Sequence, residues 1–314
     1  MTDGHTDALA GAYALGACPP DEAQSVAEHA RTCPTCAAEV AELARVAEWI
    51  GTAGEHRPAA GLRSRVLAAA RAARPPTTEA SRLGEVYGAQ VAELDGLLAV
   101  LTEPQWLLPS GPHRSVRDLV VHLRGNDERV AAVSGVDPAT GSGADPRRGW
   151  RRQADAIIEA LDSPVLDEPV QLAGHAGVRR PVREAMVQRG FETWIHAEDV
   201  RVVLGLPPRV PSARQLADIV DFAAGLLPGA MAAAGRAHPG KAVHLVLTGP
   251  GAGTRQIALA PASAPAAVAA GITLPAERFC RLLAGRLTSA GAEIDGDRGV
   301  AVDFLTVAAT MGCD

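Results

Sequence analysis

Two short segments of the sequence combine residue types that bind metal ions. In HARTCPTC, His29, Cys33 and Cys36 are separated by four and three residues. On one helix these offsets place the three side chains on the same face, within reach of a single ion. A structural zinc site takes four ligands, and either His5 or Cys18 could supply the fourth from the preceding segment. The alternatives are a CxxC redox pair or two small buried cysteines.

A second set of candidate ligands lies in the middle of the chain. Glu192 and His196, in RGFETWIHAEDV, are one helical turn apart and project from the same face. His122, in RDLVVHLRG, is on another predicted helix, where a histidine between apolar neighbours must find a partner or a metal ion. Each of the three could instead be an ordinary core or surface residue. Together they make two imidazoles and one carboxylate on facing helices, which is typical of an open metal site with exchangeable positions.

The elements that position these residues are predicted to be mainly helices. Apolar residues recur at helical spacing in the segments 7–15, 21–31, 37–50, 62–73, 81–101, 115–133, 150–161, 181–204 and 213–234. Beyond residue 240 the pattern changes to short strands in KAVHLVLTG and RQIALAP, a helix in LPAERFCRLLAGRL and a strand that ends in AEIDGDRG.

These patterns predict a mainly α fold in four consecutive parts. They are a small zinc-binding helical domain at 1–55, a linker with a short helix at 56–80, a metal-binding four-helix bundle at 81–235 and a small C-terminal α+β domain at 236–314. A chain of 314 residues is long enough for two or three domains, each with a core of its own.

Composition and charge narrow the class of function. Of the residues, 47% are hydrophobic and 21% are charged, as in soluble globular proteins, and the net charge of −6 argues against direct nucleic-acid binding. The N-terminus lacks a basic segment followed by an apolar core, so we expect no secretory signal. We expect no membrane span, because the most apolar stretch, FAAGLLPGAMAAAG, is short and interrupted by Pro228. The protein is therefore predicted to be cytoplasmic, with its cysteines as thiols or metal ligands rather than disulfides.

The N-terminal segment resembles the zinc-binding anti-sigma-factor domain. The resemblance covers about residues 1–50 and depends on His5, His29, Cys33 and Cys36, with YALGA between the histidines. It implies that these four residues bind Zn²⁺, in a site that is either structural or releases zinc and forms a disulfide on oxidation. Cys18 would then be a resolving thiol or a small buried residue. The resemblance also implies a sigma factor as a possible partner.

The rest of the chain, about residues 82–314, resembles the mycothiol-dependent maleylpyruvate isomerase family, a branch of the DinB-like metal-binding bundles. The segments LTEPQWLLPS, SVRDLVVHLRGND and RGFETWIHAEDVRVVLGLPP carry the resemblance in the bundle. HLVLTGPGAG, LPAERFCRLLAGRL and AEIDGD resemble the C-terminal domain of that family more loosely. The resemblance implies a DinB-like four-helix bundle whose metal ligands are His122, Glu192 and His196. It also places a catalytic arginine at Arg286, for which a solvated cation at a helix end is the alternative.

One departure from the family pattern concerns the segment before the helix that carries His122. The family often has Gly-Trp there, whereas this chain reads GPHRSVRDL. We expect His113 and Arg114 to reshape one wall of the pocket, which leaves the identity of the substrate open.

The implied activity is the addition of an external thiol to an electrophilic small molecule. A divalent ion, zinc by ligand preference, would hold the thiol of mycothiol and lower its pKa, so that the thiolate forms at neutral pH. An isomerase would expel the thiolate after rotation about a double bond, whereas an S-transferase would release the adduct. Arg286 would bind a carboxylate of the substrate or of the thiol cofactor. Asp118, Asn126, Arg189 and Asp199 lie one turn from the predicted ligands and are candidates to hold them in place.

A regulator is the alternative to an enzyme. In that interpretation the N-terminal domain binds a sigma factor, and the bundle senses a ligand or a thiol without turning it over. A third interpretation gives the small domain a role in dimerisation alone.

Overall fold

The computed structural model describes residues 7–53, 61–73, 78–261 and 267–312. It divides into two compact units, Met1–Pro75 and Pro76–Asp314. The first unit contains four described helices, which are α1 (Asp7–Ala14), α2 (Pro20–Thr32), α3 (Pro34–Ala53) and α4 (Leu62–Ala73). Both α1 and α2 pack against α3. The buried apolar side chains described in this unit are Ala10, Val26 and Cys36. So small a core contributes little stability by itself.

The prediction that His29, Cys33 and Cys36 share one helix is wrong. Helix α2 ends at Thr32, and Cys33 has an extended backbone with φ −112° and ψ 105°. Helix α3 then begins at Pro34. The proline ring disfavours a helical conformation for the residue before it, and proline has no N–H to continue the helical hydrogen bonds. The three residues therefore meet across a helix junction.

The second unit begins with a four-helix bundle. Its helices are α5 (Glu79–Ala99), α6 (Val116–Val133), α7 (Pro146–Ala160) and α8 (Val182–Val203), and α5 and α6 each pack against both α7 and α8. A short antiparallel pair, β1 (Pro169–Gln171) with β2 (Arg179–Pro181), precedes α8. Side-chain oxygens cap three of the helices, at Thr78, Ser115 and Asp145. Asp145 followed by Pro146 starts α7 one turn earlier than predicted.

The bundle continues into α9 (Ala213–Ala233), which packs against α8 and against elements of the C-terminal sheet. The bundle and the sheet consequently share one hydrophobic core. By length and composition α9 is the one described helix that could cross a membrane, although part of it is buried within the fold. Pro228 lies inside this helix, so the expectation that it interrupts the apolar stretch is wrong. Packing of Leu226, Leu227 and Met231 in the core holds the helix on both sides of the proline.

The C-terminal part is a four-stranded mixed sheet with two helices. Its elements are β3 (Lys241–Thr248), β4 (Gly253–Ala258), β5 (Ala267–Pro275), α10 (Ala276–Leu283), β6 (Glu293–Gly296) and α11 (Arg298–Ala308). The strand order is β4-β3-β5-β6, in which β3 is parallel to β5 and the other pairs are antiparallel. Strand β5 and helix α11 were absent from the sequence prediction. In β5 the segment AVAAGITL is rich in alanine and glycine, which gives a weak strand signal.

Candidate functional site

The N-terminal donor set forms at the junction of α2 and α3. Candidate ligand atoms of His29, Cys33 and Cys36 all lie within 4.8 Å of one another. Cys36 is buried, and the other two are half-buried. Two thiols and one imidazole suit a tetrahedral zinc ion with one further ligand. His5, the predicted fourth ligand, lies outside the described residues.

Cys18 lies apart from this donor set. Its thiol is half-buried and donates to the Leu9 carbonyl oxygen, at a sulfur–oxygen distance of 3.8 Å. The sequence left His5 and Cys18 open as the fourth ligand. In the structure the Cys18 thiol contacts the backbone of α1 instead.

The second site is built mainly on α8, the most deeply buried helix. Seven of the twelve buried polar or charged side chains in the described part of the chain are on it. Four of these seven follow one another at intervals of three, four and three residues, which aligns them along one face of the helix. They are Arg189, Glu192, His196 and Asp199. A line of ionisable groups costs free energy to bury unless each group is paired, so this face is expected to serve a function.

Three histidines converge on this face from three different segments. His122 comes from α6 and His196 from α8, while His113 lies in the turn before α6. One ring nitrogen of each lies within 4.8 Å of the others. The ring centroids are 4.6 Å apart for His113 and His122, 5.0 Å for His113 and His196, and 5.4 Å for His122 and His196. The sequence prediction brought together His122 and His196 but assigned His113 only to a pocket wall.

Glu192 contacts His122 and is not a member of the three-histidine group. Its Oε1 lies 2.7 Å from His122 Nε2 and accepts a hydrogen bond of 2.6 Å from Asn126 Nδ2. The same carboxylate forms an ion pair with Arg189. Burial raises the pKa of Glu192, but the Arg189 guanidinium and the His122 contact outweigh it, so that the pKa is lowered. Glu192 is therefore an ionised carboxylate, able to bind a cation or to orient His122.

Arg286 reaches the site through Asp199. Its Nε donates to Asp199 Oδ1 at 2.9 Å and its Nη2 to Oδ2 at 2.8 Å, and Asp199 Oδ2 lies 3.0 Å from His196 Nδ1. A carboxylate at Nδ1 leaves the Nε2 atom of such a histidine for a metal ion. The structure thus brings Arg286 to the predicted site, but its guanidinium is bound to Asp199.

The remaining candidates for support of the ligands divide into two groups. Asn126, Arg189 and Asp199 contact the predicted ligands directly, through the bonds given above. Asp118 is exposed in the first turn of α6, where its N–H is capped by Ser115. Three of the four candidates that lie one turn from the ligands therefore reach the site.

A second layer of buried polar groups lies behind Glu192. Asp127 accepts hydrogen bonds from the Tyr87 hydroxyl at 2.7 Å and from Trp150 Nε1 at 3.2 Å, and it lies 3.7 Å from Arg189. Burial raises the pKa of Asp127 to about 6 even though Arg189 lowers it. Arg189 therefore serves two buried carboxylates at once, those of Asp127 and Glu192.

A cleft of about 350 Å³ adjoins the site, with Gly111 and Asp199 among its lining residues and an otherwise largely apolar wall. This volume is in the range of small-molecule pockets. A second cleft of about 330 Å³, which includes Glu93, Trp194 and Arg209, contains none of the three histidines. Neither cleft is lined by one of the histidines, but Asp199, in the wall of the first cleft, contacts His196.

The hydrogen bonds between Arg286 and Asp199 are expected to stabilise the folded protein. We expect Arg286→Gln to lower the free energy of unfolding by about 2 kcal/mol near neutral pH, because two charge-assisted hydrogen bonds are lost. Burial raises the pKa of Asp199, but its bonds with His196 and Arg286 outweigh burial and lower it. The stabilisation is present above the unfolded pKa of about 3.9 and is lost as the pH falls through the folded value.

Urea unfolding as a function of pH measures this effect. The difference between wild type and Arg286→Gln should shrink as the pH falls below about 4. Arg298→Gln, at an exposed position at the start of α11, is the matched control. A difference of the same size at every pH would contradict the proposed coupling of Arg286 to the Asp199 carboxylate.

The fold and the two donor sets define a mainly helical protein with two candidate metal sites. Residues 5–37 match the family described as "Putative zinc-finger", and this segment contains His5, His29, Cys33 and Cys36. No curated protein matches the chain.

Two similar solved structures are crystal structures of the mycothiol-dependent maleylpyruvate isomerase and of a histidine-to-alanine variant of it. Each is 17% identical to this chain and superimposes on it with a TM-score of 0.46. The superposition covers 69% of this chain and 94% of the isomerase chain. The zinc finger and the isomerase are the two resemblances that the sequence predicts.

Proposed function

We propose that this chain is a metal-dependent isomerase or S-transferase that activates the thiol of mycothiol for attack on an electrophilic small molecule. The observation that carries the proposal is the convergence of His122 and His196, from separate helices, with ring nitrogens within 4.8 Å of each other and of a third imidazole. Glu192 against His122 adds a carboxylate to the donor set. This composition, rich in nitrogen with one oxygen, suits zinc or a similar divalent ion.

The residues around the histidines have separable roles in this proposal. Asp199 holds His196 through Nδ1, and Arg286 holds Asp199. Arg189 keeps Glu192 ionised. A divalent ion bound by the predicted ligands would lower the pKa of a thiol, so that the thiolate forms at neutral pH. Arg286 contributes by positioning Asp199, and it could bind a substrate carboxylate only by giving up part of that contact.

Among the described residues of the second unit, no cysteine offers a reactive thiol, which supports a thiol that comes from outside the chain. Cys280, the described cysteine of the second unit, is buried and donates to the Leu216 carbonyl oxygen, at a sulfur–oxygen distance of 3.8 Å. Burial raises the pKa of the Cys280 thiol, which keeps it protonated and unreactive. An external thiol such as mycothiol, in the cytoplasm, fits this arrangement.

Activity of the metal-loaded protein tests the proposal. Zinc-loaded wild type should isomerise maleylpyruvate or transfer mycothiol to at least one member of a panel of electrophiles. His196→Ala should lower this rate by more than about a hundredfold, because it removes a ligand that helix α8 and Asp199 hold in place. His244→Ala, on the exposed side of β3, should leave the rate unchanged. A metal-loaded wild type without activity on any electrophile would refute the proposal.

The regulator remains the second candidate, and one observation favours it. Six large apolar side chains described on the first unit are exposed, among them Leu15 at 65%, Val46 at 48%, Trp49 at 72% and Ile50 at 57%. An exposed group of this kind is typical of a protein-binding surface. A pull-down from native cytosol that returns a stoichiometric sigma factor, lost on Trp49→Asp, would favour regulation over catalysis.

A further inference from the structure

We propose that His113 is a ligand of the metal ion in the bundle, and that at rest it occupies the position that the substrate thiol must take. The first part concerns metal binding alone. The second part rests on the proposed function, because it concerns the thiol. His113 is absent from the ligand set implied by the family resemblance, which consists of His122, Glu192 and His196.

The distances place His113 among the ligands rather than beside them. Its ring lies closer to His122 and to His196 than those two rings lie to each other, at 4.6 and 5.0 Å against 5.4 Å between centroids. Ligand nitrogens about 2.0–2.1 Å from a tetrahedral zinc ion are about 3.3 Å apart. The three ring nitrogens lie within 4.8 Å of one another. A modest adjustment of the side chains would therefore bring them to the spacing of zinc ligands.

The backbone holds His113 in this position. Ser110 and His113 exchange two backbone hydrogen bonds, of 3.2 and 3.1 Å, which close a turn directly before the Ser115 cap of α6. Gly111 in this turn has φ +56°, and a Cβ there would collide with the Asp199 carboxylate. The turn therefore lies directly over Asp199, the residue that holds His196. Asp199 therefore lies next to both His196 and the turn that carries His113.

His113 differs from the other donors in how it is held. His122 lies on α6, His196 and Glu192 lie on the buried helix α8, and His113 lies on a half-buried turn. With His113 included, the protein offers four donors, which is the number in closed zinc sites, whereas catalytic sites keep one position for water or substrate. A thiol must then displace one protein ligand. In that exchange His113 would leave the ion as the thiolate sulfur binds, and the thiol proton would pass to solvent.

Cobalt(II) substitution in the full-length chain tests the ligand assignment. His113→Ala should weaken cobalt binding at the bundle site by about 10- to 100-fold in competition with a chelator. His113→Cys should add thiolate-to-cobalt charge-transfer absorption to that already contributed by Cys33 and Cys36, because a thiolate then replaces an imidazole at the ion. A role for His113 in packing alone would not produce this band. His244→Ala, at an exposed histidine on β3, is the control.

The outcome that overturns the assignment is specific. If His113→Ala keeps the cobalt affinity of wild type and His113→Cys gains no absorption, His113 is not a ligand. The assignment would also be overturned if Glu192→Gln lost cobalt affinity while His113→Ala did not. Glu192 would then be the third donor beside His122 and His196.

A thiol titration tests the displacement. With 2-mercaptoethanol as the probe, the cobalt-loaded His113→Ala protein should bind the thiol about tenfold more tightly than wild type, since water is displaced more easily than an imidazole. An unchanged thiol affinity would overturn the displacement. A chain that shows the His113→Cys band but has no activity on any electrophile would keep the ligand assignment and refute the proposed function, so the two failures can be told apart.

Discussion

Cys33→Ala is expected to remove the ion from the first unit and, with it, most of the folded structure of that unit. The described buried apolar side chains there are Ala10, Val26 and Cys36, too few to stabilise a helical unit of this size. Zinc bound by a structural site contributes about 10–16 kcal/mol to folding, which exceeds the contribution of so small a core. Cys33 also joins α2 to α3, so its thiolate would link the two helices through a bound ion.

Metal analysis of the purified full-length chain, together with limited proteolysis, measures this effect. Cys33→Ala should lose one of the two bound ions and become sensitive to proteolysis within α2 and α3, while the bundle keeps its ion. His196→Ala should show the reverse pattern. Retention of both ions and of proteolytic resistance by Cys33→Ala would contradict a structural zinc site at the helix junction.

Two further variants decide the fourth ligand. His5→Ala should weaken zinc binding at this site, because the zinc-finger match begins at residue 5 and includes this histidine. Cys18→Ala is the matched control and should leave the zinc in place, because the Cys18 thiol contacts the Leu9 carbonyl. The opposite result would make Cys18 the ligand.

Periodicity and capping predict the parts of the site that lie on helices. Ser115 marks the start of α6, and the four-residue interval between Glu192 and His196 fixes their common face on α8. The meeting of His122 with His196 follows once these helices face each other in a bundle. This much of the fold and of the site is present in local sequence patterns.

The sequence could not predict the features that depend on turns and on long-range pairing. His113 lies in a turn with no periodicity, and only the tertiary structure places Gly111 of that turn against Asp199. The helix break at Cys33 was predictable, since Pro34 follows it, but the histidine–cysteine spacing suggested a continuous helix. The contact of Arg286 with Asp199 joins residues 87 positions apart, for which one sequence gives no signal.

The pairing of Arg189 with Asp127 and Glu192 also depends on tertiary structure. It affects the pKa of the Glu192 carboxylate. Arg189, Asp127 and Glu192 are 1%, 0% and 3% exposed, so one guanidinium compensates two buried carboxylates. Removing one partner from a buried ion pair leaves an uncompensated charge, whereas replacing the whole group with neutral residues is often nearly neutral. Arg189 should therefore matter more for stability than its distance from the ligand atoms suggests.

Arg189→Met is expected to lower the free energy of unfolding by about 3–5 kcal/mol at neutral pH. In wild type, Arg189 opposes the effect of burial and lowers the pKa of Glu192. Without Arg189, burial dominates and the folded pKa of Glu192 rises above its unfolded value. The folded variant then binds more protons than the unfolded chain, so its stability falls as the pH rises through that folded pKa. The loss relative to wild type should be larger at about pH 8 than at about pH 5.

Urea unfolding of chelator-treated protein at both pH values measures this loss without a metal charge in the site. Arg117→Met, at an exposed position on α6, is the control and should change stability little. The combination of Arg189→Met with Glu192→Gln and Asp127→Asn should recover part of the lost stability, because no carboxylate is then left uncompensated. An equal loss at both pH values, with no recovery in the combined variant, would assign the effect to the shape of the Arg189 side chain. Recovery would show that the buried charge is what Arg189 is required to balance, so that the Glu192 carboxylate beside His122 stays ionised.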